Sequence, residues 1–196
     1  MDSMNNRGPD DRGTFFDNNV GLGFVRLSII DLSSAAHQPM ISNDGRFIMV
    51  YNGEIYNYIE IKNELINKGH IFRSKSDSEV LLNSYIEWGE SCLDKFNGMW
   101  AFVIYDRVEK RVFGSRDRYG IKPFYYLQTN DFFAFASEIT PLLKIFPSNP
   151  VPDYQTIFDY LVFNRTDQTE QTFFDKIKKL QHGSYIRINS YEIKIN

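Results

Sequence analysis

The residues with the clearest potential for chemistry are an asparagine and a glycine at the end of an apolar run. Asn52 and Gly53 directly follow residues 47–51. A side-chain amide beside an unobstructed backbone N–H provides two donors that can hold a carbonyl oxygen as it becomes an oxyanion. Taken alone, the pair is at least as typical of a plain hairpin turn. The pattern therefore indicates either a turn or an amide-hydrolysing site.

A nucleophile for such a site is hard to find in this sequence. The single cysteine, Cys92, lies beside Leu93 and near Phe96, without a cationic neighbour that would lower its pKa. We interpret it as a small packing residue. The chain opens with Met1, and Ser3 is not terminal, so it cannot act as an amino-terminal nucleophile. The sequence predicts a carbonyl-binding site without the residue that attacks the carbonyl.

Three charged residues have ordinary structural explanations that the sequence leaves open. Arg26 interrupts the apolar run at residues 22–30, where a charge needs a partner, and a buried ion pair would supply one. Glu54 suits the first turn of a helix, where the helix dipole favours a carboxylate. Asp77 suits a helix N-cap.

The elements expected to position these residues are short strands interrupted by helices. Several apolar runs are continuous, such as residues 101–104, which is typical of strands covered on both faces. Capping and stop signals predict helices at residues 58–68, capped by Asn57, and from Ser76 to Gly89. Shorter helices are predicted at residues 91–96 and 139–145. Two packed sheets flanked by helices would satisfy this pattern.

The last fifty residues have a different character. Asp153 is predicted to cap a helix whose apolar positions Ile157, Leu161 and Val162 recur at helical spacing. Two alternating runs, at residues 185–188 and 191–195, predict a terminal hairpin. Pro147 and Pro150 mark either a linker or a simple loop, and we favour one compact unit with a C-terminal extension.

Composition excludes several classes of partner. The formal net charge is −3, which provides no electrostatic reason to expect nucleic acid or an anionic membrane. The sequence shows no run of about 18 apolar residues and no leader-like segment. With one cysteine there is no internal disulfide framework, and we expect a reducing cytoplasm as the compartment.

Ordered sequence blocks identify the family that this chain resembles. It is similar to the class II glutamine amidotransferase domain of glutamine-hydrolysing asparagine synthetases over residues 7 to about 145. The matching blocks are Arg7-Gly8-Pro9-Asp10-Asp11, Arg26-Leu27-Ser28-Ile29-Ile30-Asp31, His37-Gln38-Pro39-Met40, Tyr51-Asn52-Gly53-Glu54-Ile55-Tyr56-Asn57, Ser76-Asp77-Ser78-Glu79, Phe96-Asn97-Gly98-Met99, Arg116-Asp117-Arg118-Tyr119-Gly120 and Phe135-Ala136-Ser137-Glu138.

The resemblance implies a fold and a reaction. The fold would be α+β, a four-layer αββα sandwich of the N-terminal-nucleophile hydrolase type. Residues 1–147 would be the amidotransferase domain, and residues 148–196 a C-terminal helix and hairpin that close it and lead toward a synthetase domain. In this family an amino-terminal cysteine releases ammonia from glutamine, and an ATP-dependent domain uses it to amidate aspartate.

The resemblance also assigns roles to residues of this chain. Asn52 and Gly53 would form the oxyanion hole, Arg26 would bind the α-carboxylate of L-glutamine, and Glu54 and Asp77 would bind its α-amino group. Asp77 is expected to combine that contact with capping its helix. The expected glutamine-binding set is Arg26, Leu27, Ile29, Asn52, Gly53, Glu54 and Asp77. No metal or cofactor is expected in this chain, and ATP and Mg²⁺ belong only to the synthetase domain.

The chain departs from the family at its beginning. The opening Cys-Gly-Ile strand of the family would precede Met1, so we expect a fragment that lacks its first strand or strands and its nucleophile. The absent strand lies inside a sheet in this fold, and its neighbours would present unpaired edges. The sequence block Arg116-Asp117 is interpreted as structural, with the two side chains able to pair and close a turn.

Two other functions stay open at this level. One is a catalytically dead module that binds glutamine without hydrolysing it. The other is an amidotransferase for another acceptor, such as a sugar or a surface polysaccharide precursor. The expected partners are L-glutamine and an ATP-dependent synthetase domain or subunit, without nucleic acid or membrane, and a homodimer stays an open alternative.

Overall fold

The computed structural model describes residues 2–26, 37–146, 148–189 and 192–196. Within these ranges the chain forms eleven strands and five α-helices. The strands are β1 (Asp11–Asp17), β2 (Val20–Arg26), β3 (Met40–Ile41), β4 (Phe47–Ile55), β5 (Gly98–Asp106), β6 (Arg111–Arg116), β7 (Tyr125–Gln128), β8 (Phe133–Ala136), β9 (Ile177–Lys179), β10 (Tyr185–Ile188) and β11 (Ile193–Ile195). The helices are α1 (Tyr58–Asn67), α2 (Asp77–Trp88), α3 (Cys92–Lys95), α4 (Ile139–Lys144) and α5 (Tyr154–Phe163).

A six-stranded antiparallel sheet forms the centre of the molecule. Its strand order is β11-β10-β6-β5-β4-β3. The longest strands, β4 and β5, pair along their whole length, from Phe47 opposite Asp106 to Ile55 opposite Gly98. Both strands are apolar at consecutive positions because both of their faces are covered, as the sequence predicted.

One face of this central sheet is covered by helices. Met49 and Tyr51 of β4 pack with Leu65 of α1 and with Val80 and Leu81 of α2 in one buried cluster. Cys92 belongs to the same cluster and is fully buried. The interpretation of Cys92 as a packing residue is therefore confirmed.

The opposite face of the central sheet packs on a second layer of strands. That layer consists of the two-stranded sheet β1-β2 and the three-stranded sheet β8-β7-β9. Leu22 of β2 and Tyr126 of β7 share one buried cluster with Ile48 and Val50 of β4 and Val103 of β5. Alternate residues of β4 thus face the two layers in turn.

A helix completes the outer side of this second layer. Leu142 of α4 packs on Leu127 of β7 and Ile177 of β9 in a smaller buried cluster. The order of layers is therefore helices, six-stranded sheet, second layer of strands, and helix. The predicted four-layer αββα sandwich is confirmed.

The predicted helices are present, with differences in detail. Helix α1 begins at Tyr58, but Asn57 makes no side-chain cap. Its amide instead donates to Lys95 O and accepts from Asn97 N, because tertiary neighbours compete for the same groups. Helix α5 is capped by Asp153, whose Oδ1 accepts the Thr156 N–H at 2.9 Å. No α5 residue is buried, so its apolar face does not belong to the buried clusters of the sandwich.

The C-terminal segment contributes strands to both strand layers of the sandwich. Strand β9 pairs with β7, and β10 pairs with β6. The predicted hairpin is confirmed as β10 and β11, with Ser190 and Tyr191 between them outside the described residues. The proposed boundary at residue 147 stays a prediction. No helix in the described part of the chain is long and apolar enough to cross a membrane.

Arg116 and Asp117 close a turn, although not by pairing with each other. The Arg116 guanidinium donates to the carbonyl oxygens of Gly120, Lys122 and Leu180. The fully buried Asp117 carboxylate accepts backbone N–H groups at both ends of the turn, including that of Lys122 at 2.9 Å. Each charge is matched to backbone dipoles, so the expected ion pair is replaced by two separate sets of hydrogen bonds.

Candidate functional site

A cavity of about 480 Å³ lies where the two layers of strands meet α2. Its volume falls within the range of small-molecule binding sites, roughly 300–1,000 Å³. Five of the seven predicted site residues line it, namely Arg26, Asn52, Gly53, Glu54 and Asp77. The other two, Leu27 and Ile29, lie outside the described residues. The structure thus brings together residues that are up to 51 positions apart in the sequence, since Arg26 and Asp77 line one cavity.

Asn52 and Gly53 lie inside a strand rather than in a turn. Strand β4 continues to Ile55, and Gly53 is paired with Trp100 of β5. A Cβ at Gly53 would lie 2.3 Å from the Met99 carbonyl oxygen, so only glycine fits this close approach. Neither a hairpin turn at the pair nor a helix start at Glu54 is correct, because pairing with β5 keeps the chain extended until Tyr56.

The direction of the Gly53 N–H follows from its neighbours in the strand. The Tyr51 N–H donates to Gln38 Oε1 at 2.6 Å, and the Ile55 N–H donates to Asp77 Oδ2 at 2.9 Å. In an antiparallel strand, alternate N–H groups point to the same edge. The Gly53 N–H therefore points to the edge away from β5, between Gln38 and Asp77. No described residue accepts it there, so this donor is available at the cavity.

The side chains on either side of Gly53 project from the opposite face of the strand to Tyr51. Asn52 and Glu54 share the face of Ile48 and Val50, which is buried between the two layers of strands. Both side chains are half-buried and line the cavity. An amide donor, a backbone donor and a carboxylate thus meet within three consecutive residues.

Arg26 is a buried cation at the end of β2. The segment around Gly8 packs against the backbone of Arg26. Pro9 forms a bridge with Arg26, and the Asp10 N–H donates to the Arg26 carbonyl oxygen at 3.0 Å. A Cβ at Gly8 would lie 2.4 Å from Arg26 N, which explains why a glycine is needed there. The guanidinium is therefore carried by a fixed backbone at one side of the cavity.

Asp77 is not the cap of its helix. The cap of α2 is Ser76, whose Oγ accepts the Ser78 N–H at 3.1 Å. The Asp77 carboxylate instead accepts the Ile55 N–H at 2.9 Å and the Tyr51 hydroxyl at 2.8 Å, both on Oδ2. The expectation that Asp77 caps the helix is wrong, because the preceding serine is better placed and Asp77 bonds to β4.

The electrostatic surroundings of Asp77 suit a carboxylate that binds a cationic group. Burial raises the pKa of Asp77 above its ordinary value, and the Glu54 carboxylate adds to this effect. Hydrogen bonds from Ile55 and Tyr51 act in the opposite direction and favour the charged form. Two carboxylates beside one cavity repel each other, and an ammonium group bound near both would relieve that repulsion.

Sequence reasoning assigned no role to two residues that shape the site. The buried Gln38 amide bonds to both backbone groups of Tyr51, accepting its N–H at 2.6 Å and donating to its carbonyl oxygen at 3.2 Å. It takes the place of a neighbouring strand immediately before Asn52. The Tyr51 hydroxyl holds Asp77. Gln38 and Tyr51 both lie in sequence blocks that match the family, and this match was the feature of the sequence that could have indicated their role.

Cys92 does not belong to the site. It is absent from the cavity lining and is buried in the helix-facing core. Burial raises the pKa of its thiol to about 12, so the thiolate is scarce at neutral pH.

The cavity separates the two parts of the second strand layer. Residues of β2 line one side, and Phe135 and Ala136 of β8 line another. Among the described residues, β2 pairs only with β1 in its sheet, and β8 pairs only with β7. Apart from the isolated bridge between Arg26 and Pro9, each of these two strands has an edge without a described strand partner. Such edges inside a fold are suited to accept one more extended segment.

Comparison with solved structures defines the class of fold. The chain resembles the glutamine phosphoribosylpyrophosphate amidotransferase from B. subtilis, solved with ADP and GMP, with a TM-score of 0.64 at 20% identity. The match covers 90% of this chain and 34% of that chain. The fold is that of the N-terminal-nucleophile amidotransferases.

Comparison of sequences defines the family. The chain belongs to the glutamine amidotransferase domain family, which matches residues 1–196. It is 40% identical over 182 residues to the glutamine-hydrolysing asparagine synthetase 1 of Bacillus subtilis, covering 93% of this chain and 28% of the relative. It is 42% identical over 161 residues to a putative asparagine synthetase of Methanocaldococcus jannaschii, covering 73% of this chain and 31% of the relative. The chain thus spans less than a third of these relatives.

The buried charge of Asp77 leads to a prediction about stability. Because its folded-state pKa is raised, the folded protein loses stability as pH rises from the unfolded-state pKa through the folded-state value. We expect Asp77→Asn, which can still accept from Ile55 and Tyr51, to melt at the same or a higher temperature near neutral pH. The advantage should vanish near pH ~4, where the unfolded-state carboxylate titrates. Glutamine affinity should fall about tenfold or more in the same variant.

Thermal melts and calorimetric titrations at both pH values measure the two effects. Asp153→Asn is the matched control, since it removes a carboxylate from the cap of α5, outside the cavity. A large fall in the melting temperature of Asp77→Asn near neutral pH would show that the Asp77 charge stabilises the fold, which contradicts this prediction.

Proposed function

We propose that this chain is the glutamine-binding part of a glutamine-hydrolysing enzyme similar to asparagine synthetases. The observation that carries the proposal is the convergence of Arg26, Asn52, Gly53, Glu54 and Asp77 on one cavity. The family assignment supports glutamine as the ligand.

The charges of the cavity complement a free amino acid. Arg26 offers a planar guanidinium, which fits an α-carboxylate through two parallel hydrogen bonds. Glu54 and Asp77 offer carboxylates to the α-ammonium group. Asn52 and the Gly53 N–H remain for the side-chain carbonyl of glutamine, where negative charge develops when the amide is attacked. The α-carboxylate, the α-ammonium group and the side-chain carbonyl of glutamine thereby each have a partner of suitable chemistry.

The nucleophile in this proposal is a cysteine carried by a strand between β2 and β8. That position lies beside the cavity, and both strands have an edge without a described strand partner, apart from the isolated bridge between Arg26 and Pro9. One inserted strand would join the two-stranded and three-stranded sheets into one. As in the family, the cysteine would attack the amide of glutamine, with its α-amine as the general base.

The further steps belong to the rest of the enzyme. The relatives are called asparagine synthetases, and the chain spans 28% of the Bacillus subtilis protein. We propose that ammonia passes from this domain to an ATP-dependent synthetase domain or subunit, which uses ATP and Mg²⁺ to amidate aspartate. The cytoplasm, where aspartate and ATP are available, is the proposed compartment.

Restoring the nucleophile tests the proposal. A chain preceded in frame by a Met-Cys-Gly-Ile segment, with the initiator methionine removed, should release ammonia and glutamate from L-glutamine. The same fusion with alanine in place of the added cysteine should be inactive, because the thiol is the nucleophile. Ammonia release is measured by a coupled assay, and glutamine binding by calorimetry on both fusions.

The outcomes distinguish the alternatives. Ammonia release by the cysteine fusion alone supports the amidotransferase. Glutamine binding without ammonia release by either fusion would support a module that only binds glutamine. A folded fusion that neither binds nor hydrolyses glutamine would overturn the proposal.

A further inference from the structure

We propose that Tyr51 is a positioning residue that holds the Asp77 carboxylate toward the α-ammonium group of the ligand. This inference rests on the proposed function, since it concerns how the same cavity recognises an amino acid. It assigns a task to a tyrosine that lies in the core yet ends at the cavity.

The geometry connects the tyrosine to the carboxylate directly. Tyr51 belongs to the helix-facing side of β4 and is buried, as is Asp77. The Tyr51 hydroxyl donates to Asp77 Oδ2 at 2.8 Å. The same oxygen accepts the Ile55 N–H at 2.9 Å, four residues further along β4. Two donors from one strand therefore fix one oxygen of a carboxylate that belongs to α2.

With Oδ2 fixed in this way and the Ser78 backbone N–H also acting on Asp77, the carboxylate still has acceptor capacity for a ligand. The contact of Oδ1 with the Ser76 hydroxyl is long, at 3.5 Å. A carboxylate has about four lone-pair sites, so Asp77 has unused acceptor capacity next to the cavity. The ring of Tyr51 also sits against Gly53, since a Cβ there would lie 2.6 Å from Tyr51 Cε2. The tyrosine thus borders both the amine-binding carboxylate and the donor assigned to the oxyanion.

The charged surroundings show why this hydrogen bond matters. Glu54 is the second carboxylate that acts on Asp77, and Tyr56 is a further titratable neighbour of Tyr51. The cations that line the cavity are Arg7, Arg26 and Lys122. Burial, followed by the Asp77 charge, raises the pKa of Tyr51 well above its ordinary value, so the hydroxyl keeps its proton and donates it. Such a donor stabilises the charged form of a buried carboxylate.

A purely structural tyrosine would behave differently on mutation. Tyr51→Phe keeps the ring and removes only the hydroxyl, so the packing in the core is retained. Without the donor the carboxylate of Asp77 is protonated at higher pH. Glutamine binding should then be lost at a higher pH than in the natural chain, because a neutral acid no longer attracts an ammonium group.

The experiment is a calorimetric titration with L-glutamine at a series of pH values from acidic to neutral, so that protonation of Asp77 is followed through its loss of charge. In the natural chain, affinity should fall as pH decreases and Asp77 is protonated. In Tyr51→Phe, affinity near neutral pH should fall about tenfold. The pH at which half of the affinity is lost should be higher in Tyr51→Phe than in the natural chain, because the hydrogen bond that lowers the pKa of Asp77 is gone. Tyr85→Phe, a second tyrosine packed on the same core, is the matched control.

Failure of this inference differs from failure of the proposed function. If the natural chain, shown to be folded, binds no glutamine at any pH, the proposed function is wrong. If the natural chain and Tyr51→Phe bind with the same affinity and the same pH dependence, the positioning role is wrong and the proposed function stands. An equal loss of affinity at every pH would assign Tyr51 a structural role only.

Discussion

Replacing Arg26 by lysine should weaken glutamine binding by about 10–100-fold, because an ammonium group cannot reproduce two parallel hydrogen bonds to a carboxylate. Arg26→Ala should remove detectable binding. The side chain is buried at the cavity, where solvent does not screen the interaction fully. Calorimetry with L-glutamine measures both variants against the natural chain.

The matched control for this substitution is Arg46→Lys. Arg46 also forms a two-point contact with a carboxylate, Asp106, through hydrogen bonds of 3.0 and 2.7 Å. It immediately precedes β4 and lies outside the cavity lining. We expect this control to bind glutamine as the natural chain does. A folded Arg26→Lys variant with unchanged affinity would show that Arg26 serves the fold rather than the ligand.

The second large effect concerns the rate of the reaction. In the chain with a restored cysteine, Asn52→Ala should lower kcat by roughly 10²–10³-fold, which is typical for the loss of one oxyanion-hole donor. KM should change little, because the donor acts on charge that develops only in the transition state. Steady-state ammonia release measures both constants.

Two features of the structure make Asn52 a better probe than Gly53. Asn52 pairs with Ala101 through backbone groups that alanine retains, whereas a side chain at Gly53 would collide with the backbone of β5. Asn83→Ala, at a buried asparagine of α2 outside the cavity, is the matched control and should keep its kcat. An Asn52→Ala enzyme with the natural kcat would exclude the oxyanion role.

The sequence predicted the framework well because local signals and tertiary packing agree there. Continuous apolar runs identified β4 and β5 as strands covered on both faces, and Ser76 and Asp153 marked helix starts that the structure confirms. The four-layer architecture came from ordered motif blocks rather than from periodicity. Where an element is determined by residues close together in the chain, the residue pattern was sufficient to predict that element.

The details of the site could not be obtained in the same way. Asn52 and Gly53 stay in a strand because β5 pairs with them, and β5 lies more than forty residues further along the chain. Gln38 binds the backbone of Tyr51, and Asp77 binds that of Ile55, through contacts that no local pattern records. Helix α5 likewise shows apolar residues at helical spacing, but none of its residues is buried, because spacing within one helix does not determine which neighbour covers that face.

The measurement that tests the central claim most directly is a calorimetric titration of the folded 196-residue chain with L-glutamine. Glutaramate, which lacks the α-amino group, is titrated in parallel under the same conditions. We expect saturable binding of one glutamine per chain and much weaker binding of glutaramate, because Glu54 and Asp77 then have no ammonium partner. A chain that melts cooperatively but gives no saturable heat with L-glutamine would contradict the assignment of this cavity.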